Sequence, residues 1–118
     1  MILKHFDIKE FDSPDEENSG LKMSPILLAY LDKARSIAKT PFIINSAYRT
    51  STHNRDIGGS ETSSHLGGYA VDIKCTTSYI RLIILSALIE AGFTRIGLAP
   101  TFIHTDVDPI KLDCIWLY

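Results

Sequence analysis

Ser63–Asp72, SSHLGGYAVD, sets the reading of the whole chain. Gly67 and Gly68 mark a turn. From Tyr69 to Cys75 the residues then alternate as a strand does, with Ala70, Asp72 and Lys74 on one face and Val71, Ile73 and Cys75 on the other. The branched apolar face reads as core, so Asp72 projects from the opposite one. It sits mid-strand in an apolar sequence, where an unpaired carboxylate is costly to bury. A metal ion would remove that cost, and so would a pairing with Arg49 or Lys74. His65, just ahead of the turn, offers an imidazole to the same neighbourhood. Zinc is held well by neutral imidazole and by carboxylate, and a catalytic zinc usually takes three protein ligands and keeps a fourth position open.

The third ligand is sought downstream in FIHTDVD, Phe102–Asp108, where a period of two puts His104 and Asp106 on one strand face. His65, Asp72 and His104 are therefore the expected zinc ligands of a hydrolase. Two neutral imidazoles and one carboxylate leave the ion a Lewis acid. Water in its open position would have its pKa lowered from about 15.7 toward about 7. The same ion can polarise a peptide carbonyl and stabilise the tetrahedral oxyanion. A nearby carboxylate is then needed to carry the water's proton to the leaving amine.

Working outward, a helix is expected from Ser24-Pro25, a hydroxyl N-cap followed by proline at the first helical position. Leu27, Leu28, Leu31, Ala34, Ile37 and Ala38 keep helical spacing, and Pro41 stops the pattern. A second helix follows Thr76, Thr77 or Ser78 and runs to Ala91, with Gly92 in the position that favours a left-handed cap. Its sequence, YIRLIILSALIEA, is apolar nearly all round, which predicts burial on every side. Short strands are expected at Phe42–Ile44, Phe93–Leu98, Phe102–Val107 and Ile115–Leu117. The polar NSAYRTSTHNRD reads as a connection, and residues 1–23, with the acidic FDSPDEENSG, as a surface lead-in. The whole is an α+β domain, residues 1–118, in which two main helices pack a short, mostly antiparallel sheet that carries the zinc site.

Composition fits this and excludes other classes. A chain of 118 residues with 45% hydrophobic and 22% charged residues can build one core without staples. A net charge of −2 gives no footprint for nucleic acid or an anionic membrane. Its apolar runs are too short to cross a bilayer, and MILKHFDIKEF has no apolar h-region of a secretory signal. A monomer made in the cytoplasm is expected. Cys75 and Cys114 sit in apolar, strand-like stretches and read as two buried thiols; a disulfide stays open, and no Cys-x-x-Cys or Cys-His spacing points to zinc.

SSHLGGYAVD resembles, at Ser63, His65, Gly68, Ala70 and Asp72, the SxHxxGxAxD signature of the zinc D-alanyl-D-alanine carboxypeptidase and endopeptidase family that cleaves bacterial peptidoglycan. Upstream, NSAYRT-STHN is similar to the family's SGYRT-xxHN segment, with Ala47 where glycine is usual. Downstream, FIHTDVD resembles its FxHxD strand. The opening FDSPDEENSG and the closing IWLY look like small members of the group, often phage or prophage encoded. The resemblance implies the fold shared by these peptidases and hedgehog-type signalling domains, with zinc on His65, Asp72 and His104. It implies that Arg49 contacts a substrate carboxylate or carbonyl, a task suited to a planar guanidinium fork, and that Ser63 orients a ligand or substrate unless it serves the turn.

The family pattern breaks at the general base. Several members carry Glu or Asp three residues before the last histidine, where this chain has Thr101. Asp106 is the carboxylate expected to take that catalytic role, unless it instead orients an imidazole from behind. Asp108, Glu61 and His53 are weaker alternatives. Two functions follow as expectations: a zinc peptidase acting on peptidoglycan stem peptides or cross-links, or a zinc-stabilised binding or virion-structural module without catalysis. A cytoplasmic peptidase acting on a D-amino-acid dipeptide is a third.

Overall fold

A computed structural model describes residues 2–118. Helix α1 spans Pro25–Ala38. The Ser24 hydroxyl accepts the Leu27 N–H at 3.3 Å, and Leu27, Leu28, Leu31 and Ala34 are buried. It ends at Lys39 in the left-handed region, two residues ahead of Pro41, whose ring bars the preceding residue from helix. A short α2, Ser51–Asp56, follows, and then α3, Ser78–Ala91. Thr77 caps α3 through the Ile80 N–H at 3.2 Å, and Gly92 closes it at φ 119°. Helices α1 and α3 pack on one another. No helix among the described residues is long and apolar enough to cross a membrane.

Five strands form one sheet: β1 Ile44–Ser46, β2 Ala70–Lys74, β3 Arg95–Leu98, β4 Phe102–Asp106 and β5 Cys114–Leu117, in the order β1-β2-β4-β3-β5. All neighbours are antiparallel except β3 and β5, which run parallel. Val71, Ile73, Ile96 and Ile103 face the helices and join the core with Leu27, Leu31, Ile84 and Leu88. At about 1.5–3 kcal/mol for each fully buried aliphatic side chain, this layer holds the sheet flat against the helices. Its other face is left free for chemistry. The expected α+β architecture with a mostly antiparallel sheet is the observed one.

Five local expectations need correction. The connection after β1 contains α2, whose polar sequence has no apolar stripe to betray it; Thr50 caps it through the His53 N–H at 3.1 Å. Helix α3 is not buried all round, because a two-layer domain covers only one side of it, and Tyr79, Leu82 and Ile89 are exposed. Strand β1 begins at Ile44 rather than Phe42, and Cys114 is exposed because β5 is an edge strand. Cys75 is buried as expected.

The fifth correction concerns the lead-in, which is built into the domain. The rings of Phe6 and Phe11 meet at a tilt of 60°, 5.5 Å between centroids, and Phe11 is fully buried. The acidic residues act as local staples. Asp12 accepts the N–H groups of Asn18 and Gly20, and Asp15 accepts the hydroxyls of Ser13 and Thr50. The Tyr48 N–H donates to the Phe11 carbonyl at 3.2 Å, tying this segment to the strand end that carries Arg49. Phe11→Ala is therefore expected to destabilise the whole domain by about 3–5 kcal/mol, read as an earlier midpoint in urea at unchanged slope. A solvated tail would lose nothing measurable.

Candidate metal centre

The free sheet face carries one row that crosses all five strands. Ser46 pairs with Asp72, Asp72 with His104, His104 with Gly97, and Gly97 with Trp116. His65 reaches the same row from the 3-10 turn Ser64–Gly67. That turn needs its glycine: Gly68 has φ +75°, and a Cβ there would lie 2.4 Å from the Lys22 carbonyl oxygen. The Gly68 carbonyl in turn accepts the Ser24 N–H at 2.9 Å, which seats the turn on the start of α1.

Three side chains that are distant in sequence meet here. One donor atom from each of His65, Asp72 and His104 lies within 4.8 Å of the other two. Asp72 Oδ1 is 2.9 Å from His104 Nδ1 and 3.3 Å from His65 Nε2. The opposite ring nitrogens fix the tautomers. His65 Nδ1 faces the Ala47 carbonyl at 2.7 Å and must donate to it, because a carbonyl only accepts. His104 Nε2 donates to Asp106 Oδ2 at 2.7 Å. In the neutral rings, His65 Nε2 and His104 Nδ1 are then lone pairs turned on a carboxylate oxygen. Three acceptors converging on one point call for a cation between them. The donor set, nitrogen and oxygen with each imidazole held from behind, is one that zinc takes.

Electrostatics agree. Burial pushes the Asp72 carboxyl up, but the imidazoles of His104 and His65 packed against it outweigh this and hold the group well below the usual carboxylate range. Burial pushes His104 down, yet Asp106 and Asp72 together raise it above its ordinary value. The pocket thus draws positive charge toward Asp72.

Arg49 lies beside this row, its backbone N–H donating to the His65 carbonyl. Its Nε donates to Ser46 Oγ at 3.0 Å, Nη1 donates to Asn54 Oδ1 at 3.1 Å, and Nη2 stands 3.5 Å from Asp72 Oδ2. Asp72 is thus paired with Arg49 and not with Lys74, which is exposed. The Ser63 hydroxyl accepts the His65 N–H at 3.2 Å, a turn role, and also borders the cleft.

Asp106 has a different environment from that expected of a base. It is buried, with Oδ2 on His104 Nε2 and Oδ1 accepting both Arg95 Nε at 2.7 Å and the Asp108 N–H at 3.1 Å. Both oxygens are engaged on the side of His104 that faces away from Asp72. Asp108 is also engaged, accepting the Ser64 hydroxyl at 2.7 Å, with Lys111 Nζ 3.7 Å away. Glu61 and His53 do not border the cleft.

The cleft over the row holds about 330 Å³, and Phe102, Trp116, Tyr118, Arg95 and Lys111 complete its walls. None of these five was singled out from the sequence. For Trp116 and Tyr118 a signal existed: with a period of two they share a strand face, and Gly97 inside a strand marks a close approach. A larger groove of about 500 Å³ between the N-terminal segment and α1 is lined by Ile2, Leu3, Phe6, Leu21 and other apolar residues, and offers no titratable group.

A one-domain α+β fold with two imidazoles and a carboxylate gathered at the floor of an open cleft defines a metal-dependent hydrolase architecture. The profile of the peptidase M15 family matches residues 4–108, so the chain belongs to that family. M15 peptidases are zinc-dependent, which agrees with the donor set described above. No curated protein matches the chain.

Proposed function

We propose that this peptidase hydrolyses amide bonds in peptidoglycan stem peptides or cross-links, working as a monomer with zinc on His65 Nε2, Asp72 Oδ1 and His104 Nδ1. The observation that carries the reading is the convergence of those three atoms under an open cleft. When bound, zinc would supply Lewis acidity toward a peptide carbonyl and toward water. The Ala47 carbonyl and the Asp106 carboxylate hold the imidazole protons on the far sides of the rings, keeping the near nitrogens available. Arg49 steadies Asp72 through Nη2 and remains beside the cleft to meet a carboxylate or carbonyl of the substrate. In this assignment Asp106 orients His104, and Ser63 shapes the turn at the cleft's edge.

One observation favours the second reading, a zinc-stabilised module without catalysis. Thr101 stands where several members of the family carry an acid, and the carboxylates Asp106 and Asp108 beside the cleft are already engaged. Incubation of the zinc-loaded protein with defined muropeptides, followed by mass spectrometry, separates the two. Release of a stem fragment by the native chain but not by His65→Ala supports the peptidase. Intact D,D-, L,D- and L-Ala-D-Glu bonds after prolonged incubation support the module.

A further inference from the structure

The cleft has a feature that this assignment leaves unused: an aromatic wall over a glycine. Gly97 stands in register between His104 and Trp116, and two rings fill the space above it. A Cβ at position 97 would lie 2.6 Å from Trp116 Cε2 and 2.7 Å from Tyr118 Cε2. The Tyr118 ring is held against Phe102 at 5.1 Å and beside Trp116 at 6.3 Å between centroids. Its N–H donates to the Leu98 carbonyl at 3.0 Å, extending the β3–β5 ladder by one rung, and Tyr118 lines the same cleft as Asp72 and His104.

We propose that the Tyr118 hydroxyl is a substrate-facing hydrogen-bond donor, placed to hold the oxygen of the scissile carbonyl as negative charge builds on it. This rests on the peptidase reading. A donor fixed in place before the reaction stabilises developing charge far better than water does, and a phenol can serve without losing its proton. The group is kept protonated. The residue stays largely exposed, but partial desolvation of its ring raises its pKa, the Trp116 side chain works against this, and the carboxylates of Asp72 and Asp106 raise it further against Arg49.

The test is Tyr118→Phe, which keeps the ring and its packing and removes only the oxygen. On a cleaved muropeptide, kcat should fall about 10²-fold, with KM and zinc affinity unchanged; an unchanged kcat overturns the proposal. A second measurement does not depend on turnover. Calorimetry of acetohydroxamate on the zinc-loaded protein should show binding about tenfold weaker in the variant, as expected for one lost hydrogen bond. Equal affinity, or no binding to the native protein, overturns it. Should the native chain cleave no muropeptide yet bind the hydroxamate more tightly than the variant, the peptidoglycan reading falls and the placement of the phenol stands.

Discussion

Asp72→Asn is expected to abolish zinc-dependent hydrolysis while leaving a folded protein. The substitution keeps the shape of the side chain and removes its charge. Among the three donor groups Asp72 is the only anion, and its Oδ1 is the atom shared by both imidazoles. A neutral amide there leaves two imidazoles beside the Arg49 guanidinium and nothing to offset a divalent ion. The Lewis acidity lost is worth several kcal/mol at the transition state. At about 1.4 kcal/mol per decade of rate, kcat should fall by at least about 10³-fold. Trp116, the one tryptophan of the chain, gives an independent readout, because its ring lies 5.4 Å from that of His104. Zinc added to the native protein should change its fluorescence and saturate at one equivalent, whereas the variant should not respond. The fold should survive because the site lies on the sheet face opposite the core. The lost charged hydrogen bonds cost about 1–3 kcal/mol. A variant that still binds one zinc and still turns over would overturn the ligand set.

What could be read in the sequence was what local chemistry encodes. Ser24, Thr77 and Gly92 sit at helix ends for reasons carried within a few residues of each, and the alternation from Ala70 to Cys75 puts Asp72 on the face away from Val71 and Ile73. The pairing of Asp72 with Arg49 was one of two open options, and only the course of the backbone after β1 selects it. The partners that are invisible locally are those set by strand register. Arg95 meets Asp106 because β3 lies antiparallel to β4, and Trp116 meets His104 because β5 returns parallel beside β3. Neither relation follows from spacing along the chain. Helix α2 escaped for a different reason: its only buried residue is Asn54, so its sequence carries no hydrophobic period. The exposed side of α3 shows the converse, since an apolar sequence does not reveal how many layers will cover it.

Asp106→Asn should separate the two roles open to that residue, and the outcome expected is a loss of metal affinity and stability. The carboxylate is the hinge of a buried chain running from Arg95 through Asp106 to His104, and Arg95 is held besides by the Leu112 carbonyl and stacked on Trp116 at 4.9 Å. In the variant, the amide oxygen can still accept the proton on His104 Nε2. The amide NH₂ must then face Arg95 Nε, donor against donor, and the guanidinium is left buried without its counterion. Breaking a buried pair from one side typically costs about 3–5 kcal/mol. Unfolding should therefore come early in urea. Loss of the partner behind a ligating imidazole costs about 10–100-fold in metal affinity, so the zinc titration followed through Trp116 should move by that factor. At saturating zinc most of the activity should return, because the residue acts through His104 and touches no reacting atom. A general base gives the opposite pattern, with native zinc affinity and a kcat that excess zinc does not restore. That result would move Asp106 from behind the imidazole into the reaction itself.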